Sequence, residues 1–160
     1  EGETFDQKLA RKIADDEMID HLILVCGHYE GFDARIDHYI DGKISIGDYI
    51  LTGGEIPAMA ITDAVTRLLP GVIRQDSHED ESFENGLLEC PQYTMPEEYD
   101  GYKVPDVLLS GHHANIRKWR LKESLRRTRD LRPDLLKDRD FTPEETKLLQ
   151  QIEQEEIPEN

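Results

Sequence analysis

The chain is poor in the residues that staple or embed proteins. Its two cysteines, Cys26 and Cys90, supply neither a disulfide framework nor a metal-ligand spacing, and a reducing, cytoplasmic setting is the simplest expectation. Six histidines fall without the paired spacing of a metal site. No apolar run approaches the roughly 20 residues that cross a bilayer, and no membrane partner is expected. The opening residues, Glu1-Gly2-Glu3-Thr4-Phe5, are acidic and polar where a signal peptide would be basic and then apolar. Methionine is missing at position 1, hence the expectation of a fragment or a processed product. Internal repeats and low-complexity tracts are absent. Basic residues are outnumbered, 19 against 35 acidic, and the net charge of −16 excludes a general nucleic-acid coat, whose affinity would come from Lys and Arg.

What is present is concentrated between His21 and Glu55. An apolar run, Leu22-Ile23-Leu24-Val25-Cys26, breaks at Gly27, and further glycine turns follow at Glu30-Gly31 and Gly53-Gly54. Five successive apolar residues predict a strand covered on both faces, since a half-buried strand alternates. Glycines at the exit of such a strand let backbone N–H groups approach a ligand that a Cβ would hold off. The cations are also concentrated. Eight of the 19 lie between Arg117 and Arg132, so an acidic body carries one basic segment suited to gripping a partner at one place.

Taken in order, Thr4-Phe5-Asp6-Gln7 predicts a capping box and a helix to about Asp16. Short strands are expected near Ile44-Ser45-Ile46 and Tyr49-Ile50-Leu51, and the loop after Gly27 leads into one or two helical turns. Pro57 suits the first turn of an apolar helix, Ile56 to Leu69, that ends at Pro70-Gly71. The polar run Arg74 to Glu84 predicts a loop, and Gly86 to Pro105, with Pro91 and Pro96, an extended, irregular stretch. Val107-Leu108-Leu109-Ser110 predicts a second buried strand with Gly111 at its exit. A long helix follows from His113, in which Trp119 reads as core rather than as a stacking platform. Thr142-Pro143-Glu144-Glu145 is another capping box, opening a terminal helix with Leu148, Leu149 and Ile152 on its packing face.

Three ordered stretches, Leu22 to Arg35, Ser45 to Ala58 and Leu109 to Arg120, closely resemble the bacterial tRNA (guanine-N1)-methyltransferase family of the SPOUT class, over nearly the whole chain. The resemblance implies an α/β fold with a trefoil-knotted parallel sheet, a result that general topology rules would exclude. It also implies bound S-adenosylmethionine, an obligate homodimer with the active site between subunits, and a small C-terminal helical domain that holds the anticodon stem-loop of tRNA. The family carries a further N-terminal portion, so the sheet and the cofactor pocket are expected to be incomplete here. The implied division is a cofactor-binding part at 1–72, a linker at 73–88 and a tRNA-binding helical domain at 89–160.

The chemistry that the resemblance implies is specific. Neutral guanine N1 carries a proton and no free lone pair, so methylation needs a base at N1 and stabilisation of the charge that builds on O6. The resemblance places the O6-stabilising arginine at Arg67 and the base immediately before Ser82-Phe83. Glu81 holds that position, Asp80 is its rival, and the loop is one residue shorter than the family pattern. For the cofactor, the matching positions are Gly27, Tyr29, Glu30, Gly53 and Gly54, with the run Ile46, Gly47, Asp48, Tyr49, Ile50 and Leu51. The rival reading, from another functional class, is a noncatalytic tRNA- or nucleotide-binding fragment.

Overall fold

A computed structural model describes residues 2–73, 82–83 and 85–156. The chain divides into two compact units, Glu1–His78 and Glu79–Asn160. The N-terminal unit is α/β. Strand β1 (Glu3–Thr4) pairs in parallel with β2 (Ile44–Ser45), Glu3 opposite Ile44. Helix α1 (Gln7–Ala14) is capped by Asp6, whose carboxylate accepts the Leu9 N–H at 2.8 Å. The expected cap, Thr4, is held extended in β1, so the first side chain free to turn back on the helix is two residues later. A 3₁₀ turn at Ala34–His38 stands where one or two helical turns were expected.

Helix α2 (Glu55–Thr66) has Pro57 in its first turn, where a missing N–H breaks no intrahelical bond. Its Ile61 and Val65, with Leu68 beyond it, bury against Ala10 of α1, and Phe5, Ile13, Leu24, Ile44 and Ile46 pack around them. The side chain of Ala10 is small enough to let the helices close. Only one face of α2 is covered, since Ile56 and Met59 remain exposed.

Two expected strands of this unit do not form ladders. Leu22–Cys26 runs without ladder pairing, and only one of its faces is covered: Leu24 packs on the core while Ile23 is 82% exposed. A strand covered on both faces needs neighbouring strands, and among the described residues no strand pairs with it. Tyr49-Ile50-Leu51 is likewise irregular, and Ile50 is 98% exposed.

The C-terminal unit is helical, with one hairpin. Strands β3 (Glu98–Tyr99) and β4 (Tyr102–Lys103) pair antiparallel around Asp100-Gly101, where both residues have positive φ, 51° and 81°. That is the backbone of a two-residue hairpin turn, for which Asp-Gly is a favoured pair. Val107 and Leu108 lie in a short helix, α3 (Asp106–Leu109), instead of the expected strand. Three apolar residues have no diagnostic period, and Asp106, just after Pro105, suits a helix start.

Helix α4 (His113–Leu131) packs on α5 (Pro143–Glu156) around Leu87, Leu125, Leu148 and Ile152. The segment before the hairpin is tied to the same core. The buried Thr128 hydroxyl donates to the Ser124 carbonyl at 2.7 Å and accepts the Leu88 N–H at 2.8 Å, and the Ser124 hydroxyl donates to the Leu88 carbonyl.

The second capping box forms as the spacing predicts. The Glu145 carboxylate accepts the Thr142 N–H at 2.8 Å, and the Thr142 hydroxyl accepts the Glu145 N–H at 3.2 Å. Glu145 also pairs with Arg139 at 2.7 Å, and Arg139 donates to the Asn85 carbonyl at 2.6 Å. Burial pushes the Glu145 carboxyl up, but the Arg139 guanidinium and the Thr142 N–H outweigh it and leave the group below its ordinary value. A carboxyl lowered by folding contributes stability above its unfolded pKa and loses it as pH falls through the folded value. Glu145→Gln should therefore cost about 2 kcal/mol at neutral pH. The gap from the parent should close in acid, as read by urea unfolding followed through the fluorescence of Trp119.

Candidate functional site

The glycine turns that the sequence separates by some two dozen residues are brought into contact. His28 and Gly53 form an antiparallel bridge, and the Gly54 N–H donates to the Gly27 carbonyl at 3.2 Å. The closeness depends on glycine. A Cβ on Gly54 would lie 3.0 Å from both Cα and Cβ of Cys26, and one on Gly27 would lie 2.8 Å from the Phe32 ring. Glu55, the first residue of α2, reaches back across the bridge and places Oε1 2.5 Å from His28 Nε2. His28 is one of the six histidines without paired spacing in the sequence. Its signal was a position directly after the first glycine, facing an acid directly after the second pair.

The run Ile46 to Leu51 leaves the core at Ile46 and leads into the second turn. Gly47 has φ 148°, and its N–H donates to the Ser45 hydroxyl at 3.3 Å. Tyr49 folds back so that its hydroxyl donates to the Ile46 carbonyl at 3.4 Å. Beyond it, the N–H and C=O groups of Tyr49, Ile50 and Leu51 make no hydrogen bond among the described residues, and their side chains are exposed. Asp48 and Glu30 are exposed as well. Tyr29 is fully exposed with φ 56°, a conformation uncommon for a side chain of its size. Past Gly31, Asp33 accepts the Arg35 N–H at 2.9 Å and Nε at 2.8 Å, and the Arg35 side chain and N–H hold its carboxyl down at about 2.

This arrangement offers groups that an adenosyl group could use: two glycine turns packed directly on each other, and beside them backbone donors and acceptors without partners among the described residues, with exposed apolar side chains. Of the catalytic candidates, Arg67 sits half-buried at the end of α2, its N–H donating to the Asp63 carbonyl at 3.2 Å. Glu81 and Asp80 lie outside the described residues, as do Asp76 and Glu79 of the same acidic run.

The basic segment is less free than its composition suggests. Arg117 pairs with Glu144 at 3.0 Å, Arg126 with Glu155 at 2.7 Å, Arg129 with Asp130 at 2.7 Å and Arg132 with Asp134 at 2.7 Å, while Lys122 also reaches Glu155. Lys122, the largest cause, and Arg126 together hold the Glu155 carboxyl below its ordinary value. Lys118, Arg120 and Arg127 have no carboxylate partner among the described residues.

Residues 1–138 match the family described as tRNA (Guanine-1)-methyltransferase TrmD. A tRNA (guanine-N(1)-)-methyltransferase of Acholeplasma laidlawii is 58% identical over 152 residues, covering 95% of this chain and 62% of the relative. One from Streptococcus thermophilus is 54% identical over 155 residues, 96% of this chain and 64% of its own length. One from Brevibacillus brevis is 57% identical over 157 residues, 97% and 63% respectively. The chain thus spans a little under two thirds of these curated relatives.

Proposed function

The chain belongs to the tRNA (guanine-1)-methyltransferase TrmD family, and from that premise we propose that it methylates guanine N1 at position 37 of tRNA with S-adenosylmethionine. The observation that carries the reading is the joined pair of glycine turns, with the Gly54 N–H on the Gly27 carbonyl at 3.2 Å and no room for a Cβ between them. Gly27, Tyr29, Glu30, Gly53 and Gly54, with Ile46 to Leu51, would hold the cofactor, the open backbone groups of Tyr49 to Leu51 meeting the adenine edge. When bound, the cofactor supplies an electrophilic methyl on a sulfonium sulfur.

The chain's own residues do the rest. Glu81, with Asp80 as its rival, takes the proton from guanine N1. Arg67 stabilises the negative charge that builds on O6. The same reading includes the trefoil knot, a homodimer with its active site between subunits, a cytoplasmic setting, a linker at 73–88, and the C-terminal helical unit as the holder of the anticodon stem-loop. The three cations of α4 that have no carboxylate partner among the described residues support that last role, since phosphate contacts position RNA without reading it.

The direct test is incubation with labelled cofactor and a tRNA carrying guanine at position 37. N1-methylguanosine in the digest is expected, and its absence with cofactor bound would favour the noncatalytic fragment. Widening Gly54 probes the cradle separately. Gly54→Val pushes the two turns apart and should weaken S-adenosylhomocysteine binding about tenfold, an overpacking cost of the usual size, as measured by calorimetry.

A further inference from the structure

In the C-terminal unit, a groove of about 320 Å³ opens beside the extended segment before the hairpin, lined among others by Tyr93, Met95, Leu109, Ile116, Arg120 and one carboxylate, Glu97. Three features make it unlike a packing defect. Tyr93, Met95 and Leu109 are exposed. The backbone N–H and C=O groups of Gln92, Tyr93 and Thr94 make no hydrogen bond among the described residues, and the segment belongs to no sheet. Arg120 lines the groove with no carboxylate partner among the described residues, while five other cations of the same basic segment have found one.

A slot with an aromatic face, backbone donors and acceptors along one wall, and a guanidinium on its lining has the parts that single-stranded RNA recognition uses. An unstacked base lies on an aromatic ring, its edge is met by main-chain groups, and the next phosphate is met by Arg. We propose that this groove takes one unpaired nucleobase of an RNA loop, stacked on Tyr93, with Arg120 on the adjoining phosphate. The assignment rests on the reading of the chain as acting on tRNA and adds a base-binding contact remote in sequence from the cofactor turns. The partner is RNA rather than a peptide, because an aromatic face, open main-chain groups and a guanidinium on one slot match a flat base joined to a phosphate.

Trp119 makes the test direct. It is the chain's one tryptophan, and its ring centroid lies 6.2 Å from that of Tyr93, so its fluorescence reports the slot. The protein is titrated with a single-stranded heptaribonucleotide, with the same strand in a duplex, and with a strand whose bases are removed. Saturable quenching by the single strand alone is expected. Tyr93→Ala and Arg120→Gln should each weaken binding at least about tenfold, the size of one lost base stack or phosphate contact. Tyr93→Phe should retain it, and Lys147→Gln, at an exposed cation of α5 given no part in RNA binding, should stay within twofold. Equal quenching by the abasic strand, or undiminished affinity in Arg120→Gln, would overturn the proposal. A parallel titration with S-adenosylhomocysteine separates the two readings. Cofactor heat without RNA quenching refutes the groove alone, and RNA quenching without cofactor heat upholds the groove while refuting the cofactor site.

Discussion

Glu81→Gln should slow methyl transfer to tRNA by about 10²- to 10⁴-fold, the range that a positioned general base contributes, with S-adenosylhomocysteine affinity within twofold of the parent. The amide keeps the shape of the acid and loses the ability to take the N1 proton, so chemistry should suffer while binding does not. The residues that follow it are built to hold a position. The Ser82 hydroxyl accepts the Glu89 N–H at 2.9 Å, the Phe83 N–H donates to the Leu87 carbonyl at 2.7 Å, and the Arg132 guanidinium lies 5.7 Å from the centre of the Phe83 ring. Phe83 has φ 74°, a conformation that a bulky residue adopts only where its surroundings compel it. The Leu87 side chain is buried in the helical core, so a segment anchored at several points begins directly after the proposed base. Asp80→Asn, measured beside it, should lose less than tenfold. The reverse order of the two effects would transfer the role to Asp80.

Arg67→Gln should lower the methyl-transfer rate by about 10²- to 10³-fold, the usual effect of removing one donor aimed at a developing oxyanion. Arg67 follows the last turn of α2, close to the buried Val65 and Leu68. The half-buried residue starts from backbone fixed by a packed helix, and charge stabilisation needs such fixity as well as proximity. Glutamine retains hydrogen-bond donors but no charge, so cofactor affinity should be spared. An equal fall in cofactor affinity would make Arg67 a structural residue of α2.

Much of this was legible in the residues because it is local. The box from Thr142 to Glu145 needs only four residues and their side chains, and it forms with both reciprocal bonds. The apolar stripe of α5 buries Leu148 and Ile152 as its spacing requires. The hairpin at Asp100-Gly101 was legible too and went unread, since the prolines on either side drew the whole stretch toward irregular chain.

The misses concern what no local pattern contains. Whether Leu22–Cys26 forms a strand depends on a neighbour to pair with. Whether Val107-Leu108 coils or extends depends on the turn that Pro105 and Asp106 begin. At the site, the glycines were recognisable singly, but the bridge that joins His28 to Gly53 is a long-range contact. The pairing of the basic segment with Glu144 and Glu155 of α5 likewise appears only once the two helices lie side by side.

The claim under all of this is that two glycine turns, held together by one backbone hydrogen bond, form a seat for an adenosyl group. Calorimetric titration of the chain with S-adenosylhomocysteine tests it most directly. Saturable heat at one site per chain, weakened about tenfold in Gly54→Val, is the result expected. No heat in the parent protein, or heat that Gly54→Val leaves unchanged, would contradict it.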